Sequence, residues 1–318
     1  MDETLMNLPR IEDFCSASQI RNDYLKTDGK PPAASKDTIY HYTSVDVLNE
    51  MCKDSGDLLA THFMSLNDSN EFFLGVQLAL KELEKCPVLP REIRDVLPDF
   101  QKNARKQIVS FLRSESIVPW IVSFSQEPDS LSQWVSYTDR SRGGVAIGFD
   151  RNALQLAIKK QDSETGSTNA MLFSALTDCH YTNGNDAEDW LRKKFSSLIS
   201  KNGNGVSSLR EQQKRILAAV FLCATAIKNK SFSSERETRL VLIASHDAAR
   251  SRYKFVGGKP RIETNLFGRG LRLDQAISSV VISPQGNRSR LISDVNILRK
   301  QNRLKFPIYV STSSYNGQ

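Results

Sequence analysis

Apolar residues recur along this chain in short period-two runs, separated by longer stretches with helical period, and the two alternate without a regular order. Alternate side chains share a face in a strand, whereas positions three and four apart share one in a helix. Thr38–Thr43, 57–64, Val118–Phe124, Gly143–Phe149 and 172–181 therefore read as strands. So do the stretch running from Glu235 into Leu240–Ala244, and later Tyr253–Val256, Pro260–Glu263, Ile277–Ile282 and Phe306–Val310. Helical stripes are predicted after Ser44 (Val45, Leu48, Met51), over Glu71–Lys85, 90–113, 186–200, 209–228 and 288–300, and after the capping residue Asp150. A short helix carrying Trp134 and Tyr137 would be capped by Asp129 or Ser130. Residues 1–35 look irregular and end on the turn signal Gly29-Lys30-Pro31-Pro32. Without regular βαβ alternation, the pattern argues for an α+β fold, helices laid over a mixed, mostly antiparallel sheet. Residues 36–318 read as one domain, with helical insertions at about 68–114 and 186–228.

Charge sharpens this picture. Residues 201–318 hold 21 Lys/Arg against 7 Asp/Glu, while residues 1–200 hold the remaining 22 and 29, so a half at +14 follows one at −7. Such a half suits a polyanion, most simply RNA or DNA, and Arg outnumbers Lys there, as phosphate contacts favour. A solvated basic surface or an acidic protein partner fits the same numbers. The longest apolar run, Ile216 to Ile227, is 12 residues and short of the roughly 20 a membrane span requires. No membrane association is expected. The five scattered cysteines form no Cys-x-x-Cys pair, and no apolar leader follows Met1. The expected location is cytoplasmic.

Four clusters carry candidate chemistry: Tyr40-His41-Tyr42-Thr43; Ser65 to Glu71, dense in side-chain acceptors; Ser123-Phe124-Ser125 followed by Trp134 and Tyr137; and Glu235, Glu237 and Arg239. On one strand the last three would project together, and two like charges at that spacing call for a partner or a task. Each cluster also has a plainer reading. His41 can be a satisfied polar group, Asn67-Asp68 an N-cap, Trp134 a core anchor, and Glu235/Glu237 an ion-pair ladder with Arg236 and Arg239.

Together, His-Tyr-Thr on an early strand, Ser-Phe-Ser on a middle strand and a late Glu-x-Glu resemble the three motifs of ADP-ribosyltransferases. In detail, Tyr40-His41-Tyr42, Leu66-Asn67-Asp68 with Glu71, Ser123-Phe124-Ser125 with Trp134 and Tyr137, Gly144–Phe149 and Glu235–Arg239 resemble a bacterial family over about residues 38–285. Phe232 departs from that family's more frequent Trp. The resemblance implies a split sheet with an ADP-ribosyltransferase-like core and NAD as substrate. It implies Glu237 as the catalytic carboxylate at the ribose and Glu235 as the group that orients or deprotonates the acceptor. His41 and Thr43 would hold the adenosine ribose, Ser123 and Ser125 the nicotinamide side, and Tyr137 or Tyr42 would stack on the ring. Arg239 would depress one carboxylate. By analogy with related toxins, it points to a toxin or phage-defence effector that modifies nucleic acid and is silenced by an antitoxin.

Two alternatives stay open. A metal-dependent nuclease would use Asp68, Glu71, Glu235, Glu237 and His41. A non-catalytic nucleic-acid-binding module would use Tyr253-Lys254-Phe255 and Arg269 to Arg272. Neither a Gly-x-Gly-x-x-Gly fingerprint nor a Gly-Lys-Ser/Thr phosphate loop occurs.

Overall fold

The structure, a computed structural model, describes residues 25–53, 57–66, 69–85, 117–164, 171–183, 186–201, 209–245, 253–267 and 271–314. The expected helix at 90–113, the Asn67-Asp68 turn, Arg269 and most of the N-terminal segment lie outside these residues. Elements follow in the order β1 (Thr38–Thr43), α1 (Val45–Met51), β2 (Leu59–His62), α2 (Ser69–Glu84), β3 (Ile117–Ser125), α3 (Leu131–Tyr137), β4 (Val145–Asp150) and α4 (Arg151–Glu164). Next come β5 (Met171–Asp178), β6 (His180–Thr182), α5 (Ala187–Lys201), α6 (Leu209–Ala226), β7 (Ile227–Asn229) and β8 (Glu237–Ser245). The last are β9 (Tyr253–Val256), β10 (Lys259–Glu263), α7 (Leu273–Ala276), β11 (Ile277–Ile282), α8 (Arg288–Gln301) and β12 (Ile308–Val310).

Among the described residues ten strands form one sheet, ordered β12-β11-β4-β1-β3-β2-β10-β9, with β8 pairing β3 and β5 off that path. Every pairing in it is antiparallel except β11–β12. The fold is thus α+β, with a mostly antiparallel sheet flanked by helices. Helix α6, read from the sequence as running to 228, stops at Ala226, and Ile227–Asn229 pairs with β6 as a strand. The apolar run beginning at Ile216 is buried in the core, and no helix among the described residues is long and apolar enough to cross a membrane. Helices α2 and α6 cross at Gly75: a Cβ there would lie 2.5 Å from the Ala224 carbonyl oxygen.

The site is set by how β3 is shared. One edge of β3 pairs with β8 along its whole length, from Ile117↔Ser245 to Ser125↔Glu237. Its other edge serves two strands in turn: β2 at Trp120 and Ile121, then β1 at Ser125. Between these registers β1 and β2 part, and the sheet is split beside Val122 and Ser123.

Around the split, Tyr40, Tyr42 and Trp134 form a small second core with Ala146 and Val281. Asp129 does not cap α3. Its carboxylate accepts hydrogen bonds from Trp134 Nε1 (2.8 Å), from the Ser311 hydroxyl and from the Thr312 and Ser313 amides, tying that loop to the strand end after β12.

Candidate functional site

The split holds a cavity of about 180 Å³, lined by His41, Thr43, Ser123, Tyr137, Lys259 and Arg261, with Tyr40, Tyr42, Thr61, Ser65 and Gln133 among the remaining wall. Pockets that enclose drug-sized ligands measure roughly 300–1,000 Å³. This one encloses part of a nucleotide, and anything larger extends out of it.

His41 stands where the β1–β3 ladder gives way. Its Nδ1 lies 3.0 Å from the Ser123 carbonyl oxygen, and a carbonyl only accepts, so the ring carries its proton on Nδ1. Burial pushes the imidazole below its ordinary value; the bond to Ser123 opposes this and the Arg261 charge adds to it. The ring is therefore neutral at physiological pH. Its Nε2 is an acceptor with no partner among the described residues.

Arg261 comes from β10, whose alternation turns Lys259 and Arg261 to one face and Pro260 and Ile262 to the other. The Arg261 Nε is buried without a hydrogen-bond partner among the described residues, and burial lowers the guanidinium's pKa. A cation held without a counter-charge, beside a neutral acceptor, is a place prepared for an anion.

The second assembly lies at the β3–β8 end, and its layout corrects the single-strand reading of Glu235, Glu237 and Arg239. Strand β8 begins only at Glu237. Glu235 ends a 3₁₀ turn over Lys230–Glu235, and Arg236 is in the left-handed region at φ 43°. Asn229 starts that turn by accepting from the Ser231 amide at 2.9 Å. Glu235 and Glu237 meet because Lys228 Nζ donates to both, at 2.8 Å to Glu237. Arg239 grips the same Glu237 carboxylate through Nε at 2.8 Å and Nη2 at 3.0 Å, and its Nη1 reaches the Thr225 carbonyl. Burial alone would raise the Glu237 carboxyl. The charges and hydrogen bonds of Arg239 and Lys228 outweigh it and bring the carboxyl down to about 2. Phe232 lies under Lys228 Nζ, 5.1 Å from the ring centre, a cation–π contact.

Of the residues assigned from sequence, His41, Tyr42, Thr43, Ser123 and Tyr137 line the cavity; Ser125, Glu235, Glu237 and Arg239 do not. Tyr42 is no stacking platform. Its ring packs edge-on against Trp134 at 4.6 Å, and its hydroxyl donates to the Glu127 carbonyl and accepts from the Ser130 amide. The Ser125 hydroxyl is spent on the Glu235 carbonyl, at 2.7 Å. Arg239 is sealed against Glu237 and is not open to a ligand.

The expected facing of His41 and Glu237 across one crevice is also corrected. His41 lines the cavity, whereas Glu237 does not and is buried in its ion pairs with Lys228 and Arg239. Tyr137 joins the two assemblies. It lines the cavity, and desolvation, helped by the charges of Glu237 and Glu235 and opposed by Lys228 and Arg239, raises its phenol to about 12. No hydrogen-bond partner engages its hydroxyl among the described residues. Lys259 and Arg261 were not singled out from sequence. The clue was the Gly257-Gly258 turn followed by alternating cations, legible only once β10 lies beside β2.

Asp68 lies outside the described residues, and the other members of the nuclease ligand set are not gathered. Glu71 accepts from the Asn229 amide, Glu235 and Glu237 are ion-paired, and His41 is elsewhere. Among the described residues no group of three or more His, Cys, Asp or Glu is arranged to hold a metal ion.

A family model described as a protein of unknown function (DUF2971) matches residues 133–240, from α3 to β8. That span contains Tyr137, Lys228, Glu235 and Glu237 but neither His41 nor Arg261. No curated protein and no solved structure gives a significant match to the chain.

Proposed function

We propose that the split in the sheet binds a phosphate-bearing nucleotide, that the nucleotide is NAD, and that the protein is an ADP-ribosyltransferase with that family's core. The observation that carries the reading is Arg261, whose Nε is buried without a partner among the described residues, in a cleft it shares with Lys259, a neutral His41, Ser123 and Tyr137. The choice of NAD rests on the motif resemblance. Arg261 takes the phosphate charge, His41 Nε2 accepts from a ribose hydroxyl, and Tyr137 lies beside the nicotinamide. In the reaction the ribose C1′–nitrogen bond breaks with its electron pair leaving on nicotinamide. An acceptor oxygen or nitrogen then forms the new bond to C1′ and gives up its proton. Glu235, 19% of whose side chain is exposed against 5% for Glu237, is the acid that can receive that proton. Glu237 is a positioning residue that fixes Lys228 and Arg239. A role in cell poisoning or phage defence, with a silencing antitoxin and a nucleic-acid acceptor, belongs to the same proposal.

A second reading, a nucleotide-binding module without turnover, is favoured by one observation: among the described residues no carboxylate lines the cavity, and Lys228 engages both acids. Calorimetric titration with NAD and ADP-ribose, paired with nicotinamide release in the presence of RNA, DNA and lysate, separates the two. Arg261→Ala removes a charge-assisted contact worth about 1.5–3 kcal/mol, so binding should weaken roughly 10- to 150-fold. Binding that depends on Arg261, with no release under any condition, leaves the binding module. No binding of either ligand refutes both readings.

A further inference from the structure

The β9–β10 hairpin carries two features on opposite faces. Strand β9 is the last on the sheet's path, and its turn is Gly257-Gly258 with φ +60° and +73°, the positive pair that a two-residue hairpin loop needs. On one face stand Tyr253 and Phe255, their rings 6.0 Å apart, with Tyr253 also edge-on to Trp120 at 6.0 Å. They are 47% and 68% exposed, an unusual state for two adjacent aromatic rings at a sheet edge. Alternation sends Lys254 to the other face, where Arg261 is its cross-strand neighbour and Lys259 and Arg261 line the cavity. On that face Glu263 pairs with Lys254.

We infer that this hairpin is a docking step for single-stranded nucleic acid, with bases stacking on Phe255 and Tyr253 and phosphates passing Lys254 and Lys259. Any base presents a ring face to stack on an aromatic side chain, and a strand that turns over the narrow hairpin keeps its phosphates beside the cations. Duplex DNA or RNA keeps its base faces internally stacked and gains nothing from the exposed rings. An acidic peptide satisfies the cations but has no regularly spaced rings to cover Phe255. The inference goes beyond the reading of the cleft, and strand binding is measured without NAD. The two can therefore fail separately.

The test is fluorescence anisotropy with labelled single strands of about 12 nucleotides, RNA and DNA, and the matching duplexes, at 50 and 200 mM salt. Base stacking is worth about 1–3 kcal/mol per base, so Phe255→Ala should weaken single-strand binding roughly 5- to 150-fold while Phe255→Trp retains it. Lys254→Ala should reduce the salt slope by about 0.7. Phe255 is exposed, so its truncation should leave the thermal melting midpoint where it was. The inference is overturned by no strand binding, by equal binding to wild type and Phe255→Ala, or by duplexes binding as tightly as single strands.

Discussion

Replacing Glu237 with Gln removes one charge from a buried group and leaves its shape. The wild-type carboxylate receives Arg239 Nε at 2.8 Å, Arg239 Nη2 at 3.0 Å and Lys228 Nζ at 2.8 Å. Arg239 and Lys228 hold its carboxyl down at about 2 against burial, far enough below the ordinary carboxylate value to be worth about 3 kcal/mol. Removing one partner of a buried ion pair costs a similar amount, about 3–5 kcal/mol, because the remaining cations stay desolvated. The two routes agree. Glu237→Gln should lose about 3 kcal/mol in urea unfolding at neutral pH. A folded pKa below the unfolded one places this stabilisation above about pH 4.5, and it is lost as pH falls toward 2. The gap between wild type and variant should therefore close across that window. A variant as stable as wild type at neutral pH would refute the anchoring role. If such a variant also stopped releasing nicotinamide, Glu237 would have to act on the substrate itself.

Other outcomes follow from named contacts. Burial depresses the His41 imidazole, so the unfolded chain takes up its proton first and stability should fall as pH drops below about 6.5. His41→Gln should flatten part of that slope in urea titrations at pH values on either side of 6.5, and unchanged slopes would contradict a buried neutral ring. Gly75→Ala would set a methyl group 2.5 Å from the Ala224 carbonyl on rigid backbone, costing about 1–3 kcal/mol. A thermal melt that does not move would show that α2 and α6 separate freely.

Strand positions were legible because period-two patterning survives in any sheet, and Asp150 accepting from the Ala153 amide at 2.8 Å is the cap the sequence led one to expect. The acidic motif misled for a local reason. Nothing in Ser233-Ser234-Glu235-Arg236 announces a left-handed residue, since Arg rarely adopts φ 43°, so the strand was begun two residues early. Tyr42 and Ser125 looked free because the groups that occupy them, Trp134 with Glu127 and the Glu235 carbonyl, lie far along the chain or on backbone. Arg261 escaped notice for the converse reason. Its importance comes from the gap left when β1 and β2 part company on β3, and no window of neighbouring residues contains that gap.

The knot at Asp129 has a consequence for how the molecule is made. Its carboxylate gathers Trp134 together with residues 311–313, about 180 positions downstream, and the same loop holds the Tyr42 hydroxyl through Glu127 and Ser130. During translation the wall that carries His41 is therefore left half-fastened until those late residues clear the ribosome.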